Sequence, residues 1–146
     1  MSRRQGARLE GARETERALR RLPRQVQGRI EMNALRQGAK PIREAAQDRA
    51  PKDTGELEEE IIVRGRRRQG ETVVRIGPSK KAFQGMLQEF GTEHHPAQPW
   101  LRPAFDEKVA EALDRIGEFL GRGIERAAKR LAGPIAKSGL LRRRRR

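Results

Sequence analysis

Apolar residues recur at three- and four-residue spacing through Leu19, Leu22, Val26, Ile30 and Ala34, with Arg and Glu between them. That spacing predicts a one-sided amphipathic helix. Gly38 and Pro41 predict a kink or break, because proline restricts the residue before it and has no amide donor. A second helix then follows over about Ile42 to Arg49, ended by Ala50-Pro51. The period next changes to two. Ile61 and Val63 alternate with Ile62 and Arg64, and Val74 and Ile76 with Val73 and Arg75, as in half-buried strands that pair with each other. Between them, Gly65-Arg66-Arg67-Arg68-Gln69-Gly70 predicts a basic hairpin loop longer than the tight two-residue kind. The sheet is expected over about Leu57 to Gly77, with a further short strand near Met86 to Phe90. Val109, Ala112, Leu113, Ile116, Leu120, Ala127 and Leu131 then share one face of a long helix that starts just after Pro103. The pattern stops at Gly133-Pro134.

These elements make an α+β protein: a small antiparallel sheet covered by a basic N-terminal helix and a long C-terminal helix. A sheet of this size needs such cover on its apolar face. Organisation follows as a basic extension over residues 1–24, a domain over 25–132 and a polyarginine tail over 133–146 that self-repulsion keeps disordered unless an anionic partner orders it.

Composition changes the picture mainly through charge. The 146 residues hold 34 Lys plus Arg against 20 Asp plus Glu, a net charge of +14, so a polyanion is expected nearby. Residues 1–50 carry 13 basic and 6 acidic side chains, residues 51–104 carry 9 and 8, and residues 105–146 carry 12 and 6. The excess therefore lies on the flanks of a nearly neutral middle. With no cysteine, disulfides, thiolate zinc sites and cysteine nucleophiles are excluded. Mean hydropathy is −0.92 and no apolar run approaches the ~18 residues of a membrane span, so no membrane partner is expected. Met1 to Arg8 leads into no apolar stretch, so a secretory signal is not expected either.

Candidate chemistry is sparse. His94 and His95 lie near Glu89 and Glu93, but adjacent histidines point apart and no HExxH spacing or third ligand accompanies them. The run Glu56, Glu58, Glu59, Glu60 lacks the Asp/Asn alternation of a calcium loop and reads as a solvated or partner-facing edge before a strand. No glycine-rich phosphate loop and no nucleophile with an evident base are present, so neither an enzyme nor a cofactor is expected. Arg66, Arg67, Arg68 and the terminal Arg142, Arg143, Arg144, Arg145 and Arg146 are candidates for contact with DNA phosphates or an acidic partner. The five aromatics are not interleaved with them, which leaves no stacking platform for single strands.

Two motifs sharpen the reading. Ala50-Pro51-Lys52-Asp53-Thr54-Gly55-Glu56-Leu57 follows a helix and opens a strand; Glu89-Phe90-Gly91-Thr92 is followed by Gln98-Pro99-Trp100-Leu101-Arg102-Pro103-Ala104. In this order, over roughly residues 25–130, they resemble the minor tail, or tail-completion, family of long non-contractile phage tails typified by gene product ten of a lambdoid siphophage. Pro51, Asp53, Thr54, Gly55, Leu57, Phe90, Gly91 and Thr92 would shape turns, glycine taking a backbone conformation closed to other residues. Pro99, Trp100, Leu101, Arg102 and Pro103 are candidates for subunit contacts. The resemblance implies a structural virion protein that completes the tail or joins it to the head. It also implies a homo-oligomeric ring, sixfold, beside the tail terminator, tail tube, head-closure and tape-measure proteins, assembled in the host cytoplasm, with packaged DNA as a further neighbour. The alternative from another class is a DNA-binding architectural protein without sequence preference.

Overall fold

The computed structural model describes residues 11–142, with side chains to residue 132. The chain is α+β: α1 (Ala12–Arg20), α2 (Arg24–Arg49), the single-turn α3 (Glu56–Glu59), β1 (Ile61–Arg68), β2 (Glu71–Pro78), a 3-10 turn (Lys80–Ala82), α4 (Gln84–Phe90) and α5 (Leu101–Arg142). Helices α2 and α5 pack antiparallel along their length. Arg49 meets Glu107 at one end, Gly38 lies against Ile116 and the Ala112 carbonyl in the middle, and Ile30 lies on Gly123 towards the other end.

Proline positions correct two expectations. The helix does not break at Gly38 and Pro41; α2 passes straight through them, with both residues buried. Packing outweighs the lost hydrogen bond of Pro41. The absent side chain of Gly38 lets Ile116 in close, and Ala45, Ala46 and Ala50 beyond the proline join Trp100 and Ala104 in the main core. The break lies instead at Pro23, which sits in an extended conformation (φ −55°, ψ 141°) ahead of α2 and separates it from α1. The apolar stripe from Leu19 to Ala34 is thereby split over two helices and the connection between them, and Leu22 of the connection and Ile30 of α2 meet Ala127 of α5 in a second cluster.

The sheet is β1 and β2 alone, paired from Ile61↔Pro78 to Arg68↔Glu71. Its turn is the tight two-residue kind and not the longer loop expected. Gln69 (φ 52°) and Gly70 (φ 83°) both take positive φ, as a type I′ turn requires, and this frees Gly65 and Arg66 to Arg68 to continue the strand. Gly65 lets the hairpin settle on Met32 and Arg36 of α2. The strand does not begin at Leu57, since Glu56–Glu59 forms one helical turn first, following Gly55 at φ 76°. The expected strand at Met86 to Phe90 is helix α4. Its three larger apolar residues, Met86, Leu87 and Phe90, fall with the preceding Phe83 at helical spacing, and the sheet among the described residues pairs only β1 with β2.

Helix α5 starts at Leu101, two residues before Pro103, and continues through Gly133-Pro134 where the sequence predicts a stop. Gly133 and Pro134 are poor helix formers, but the helix is already nucleated by packing and the Ile-Ala-Lys and Leu-Leu-Arg residues that follow continue it readily. The first ten residues and Arg143, Arg144, Arg145 and Arg146 lie outside the described residues.

Candidate functional site

The quoted motifs converge on Trp100. Its side chain is only 2% exposed and packs among Ala45, Ala46, Ala50, Ile61 and Ala104, with Leu57 and Leu101 against the cluster. The indole Nε1 donates to the Gly85 carbonyl of α4 at 3.0 Å. A methyl group on Gly85 would press on the end of the Leu57 side chain and on the Trp100 ring, so the glycine lets the Asp-Thr-Gly-x-Leu segment, α4 and Trp100 pack closely.

Glu89 joins the second motif to the third. It is buried, and its carboxylate accepts from the Trp100 amide at 2.7 Å, the Leu101 amide at 2.8 Å and the Arg102 amide at 3.0 Å. These are the amides that a helix start leaves without internal partners, and the fourth position is Pro103, which has none. The carboxylate also faces the positive end of the α5 dipole. This cap explains why α5 begins earlier than Pro103 alone suggests. Between the two motifs, Gly91 (φ 76°) turns the chain where a side chain would strike Ala97 and the His95 carbonyl. Thr92 holds the loop through its amide, bonded to the His95 carbonyl at 2.8 Å, and its hydroxyl, which accepts from the His94 and His95 amides.

The candidate residues separate into two groups. Gly55, Leu57, Gly91, Thr92 and Trp100 shape the interior or its turns, and Thr54 accepts from the Glu56 amide through its hydroxyl at 3.4 Å. Trp100 therefore offers no surface to a neighbour, whereas Pro99 and Arg102 are exposed and Pro51, Leu101 and Pro103 half-buried. Arg67, though exposed, is tied to its own subunit, donating to Glu31 at 2.6 Å and Thr72 at 3.0 Å, while Arg66 and Arg68 extend from the hairpin into solvent. His94 and His95 are exposed, and no cluster of three or more metal-ligating side chains occurs among the described residues.

A surface not read from the sequence stands out on α4. Phe83, Met86, Leu87 and Phe90 are 61, 37, 42 and 73% exposed, and their i, i+3, i+4, i+7 spacing lines one outer face of the helix. That spacing, bounded by Ser79 and Gly91, was the available signal. Beneath this face Gly85 and Glu89 point inward, which fixes which side of α4 looks out.

Charge is segregated in the same frame. Residues 44–60 and 79–111, around α3, α4 and the start of α5, carry twelve acidic and six basic side chains. Residues 11–43, 61–78 and 112–132, which hold the hairpin and the opposite ends of α2 and α5, carry seven acidic and nineteen basic ones. One end is thus at −6 and the other at +12. Where α2 meets α5 at the acidic end, the Arg49 guanidinium donates to Glu107 at 2.6 Å, and this hydrogen bond and charge hold the Glu107 carboxyl below its ordinary value.

The elements from α1 to α4 coincide with a family match. Residues 13–91, just over half of the chain and running from α1 to the end of α4, match the family model described as "Bacteriophage HK97-gp10, putative tail-component". The chain belongs to this HK97-gp10-like family. Within the family match lie the hairpin, the Asp-Thr-Gly-x-Leu turn and Glu89-Phe90-Gly91, while the partner amides of Glu89 on α5 lie just beyond it. No curated protein and no solved structure matches the chain. As an HK97-gp10-like tail component the chain is a part of the virion, and membership agrees with a structural rather than a catalytic role. No helix among the described residues is long and apolar enough to cross a membrane.

Proposed function

We propose that this HK97-gp10-like protein completes the tail or joins it to the head, working as a homo-oligomeric ring in the neck of the particle. The exposed α4 face carries the reading: four large apolar side chains within eight residues, two of them phenylalanines more than half exposed, form the kind of patch that marks a protein contact. The rigid Trp100–Glu89 junction behind α4 holds that face in a fixed orientation, which a repeating contact needs. The neighbours proposed are the tail terminator, tail tube, head-closure and tape-measure proteins, with sixfold symmetry matching the tail. Electron microscopy of intact particles tests this: the chain is expected at the head–tail junction in about six copies, and a location elsewhere or a single copy would refute it.

A second reading is favoured by the basic end of the molecule. Arg66 and Arg68, with the terminal arginines, suit the phosphate backbone of duplex DNA, whose binding would weaken steeply with added salt. Measuring the affinity of the isolated protein for duplex DNA as a function of salt separates the two readings.

A further inference from the structure

Between α2 and α5 at the basic end lies a groove of about 350 Å³. Val26, Ile30 and Ala127 form an apolar floor, the half-exposed Leu131 lies on its margin, and Arg126 and Arg130 flank it. Its composition is the counterpart of the α4 end. There the stripe of Phe83, Met86, Leu87 and Phe90 stands in a surround whose balance is acidic: the exposed Lys80 and Lys81 precede it, Glu93 follows α4 closely, and Asp53 and Glu56 share a small cavity with Gln84 and Gln88 of the same helix.

We infer that subunits dock head to tail, the α4 stripe of one copy seating in the groove between α2 and α5 of the next. This rests on the ring reading and specifies its contact. Charge decides among the possible pairings. Two α4 ends brought together would oppose −6 with −6, and two groove ends +12 with +12, whereas head to tail pairs opposite signs. An unlike-face contact is also the kind that generates rings when its rotation closes, while a like-face contact stops at a dimer. A phosphate backbone would satisfy the arginines but leave the apolar floor and Leu131 unmatched, so a second copy fits the groove better than DNA does.

Mixing experiments with the full chain test the contact. F83D/F90D damages the stripe and R126E/L131D the groove; all four residues are at the surface. Each variant alone is expected to lose on the order of thirtyfold or more in self-association by analytical ultracentrifugation, the size of losing a central anchor. Mixed in equal amounts, they are expected to form one-to-one dimers and nothing larger, since each dimer leaves only damaged faces. Raising salt should weaken assembly of the unmodified chain through the charge component. If the groove variant alone still assembles, the stripes pair with each other; if the stripe variant alone does, the grooves pair; either result overturns the inference. A mixture that stays monomeric while the groove captures duplex DNA overturns it as well. Circular dichroism checks that the variants fold, and F90S with R130E provide a milder pair should either fail. With the unmodified chain ringed in particles, a failed mixing test removes only this docking arrangement; a chain that is monomeric in solution and single-copy in particles removes the ring reading along with it.

Discussion

Glu89 is the residue on which two sequence motifs become one piece of structure. Its carboxylate serves the Trp100 amide and the first two amides of α5, which no other group satisfies, so E89A strands these donors and should cost about 2–4 kcal/mol in chemical denaturation. E89Q should fall between, because one of its terminal atoms is a donor facing donors. Glu107 offers a contrasting case at the exposed Arg49 pair. Because Arg49 lowers its folded-state pKa, the pair contributes stability above the ordinary value of 4.5 and loses it as pH falls through the lower folded value. E107Q should therefore melt slightly below the unmodified chain at neutral pH, the small gap typical of a surface pair, and the two melting curves should converge as the pH drops below 4.5.

Among elements, α2 and the hairpin show how local rules yield to or govern packing. Alanine ordinarily favours a helix over glycine, yet G38A should destabilise by about 1–3 kcal/mol. A side chain there meets the Ala112 carbonyl at 2.8 Å as well as Ile116, and the helices can only part. The reverse holds at the hairpin turn. Gln69 sits at φ 52°, where asparagine is better tolerated, so Q69N should raise stability by about 0.5–1 kcal/mol in thermal unfolding. Pro23 and Pro41 were equally visible in the sequence, and only one of them ends a helix. What differs is the surroundings: Pro23 is exposed, while Pro41 is buried with buried residues of α2 on both sides.

For the molecule as a whole, the two apolar clusters among the described residues draw on positions from Leu19 to Ala127. Deleting Arg142 to Arg146 should leave the melting temperature unchanged while lowering the net charge from +14 to +9. If these residues meet DNA or an acidic neighbour, phage carrying the deletion should show a reduced yield of joined particles, counted by plaque titre and microscopy; a normal yield would show them dispensable. The bipolar charge of the folded body bears on assembly in the same way, since it favours one mutual orientation of subunits over the others.

The α+β class, the paired strands, the long last helix and the family were all legible in the chain, because each rests on periodicity or on short ordered motifs that neighbouring residues determine. The tertiary structure decided three things that periodicity does not carry. It decided that Pro41 stays helical, since packing on α5 outweighs a lost hydrogen bond. It decided that Glu89 caps a helix beginning at Leu101, since a cap contributed from eleven residues away has no local signature. It also decided the charge polarity: a middle segment of nearly zero net charge is divided by the fold, the basic hairpin folding towards one end of α2 and the acidic α3–α4 region towards the other, because antiparallel helices bring together residues far apart in sequence and separate those close together.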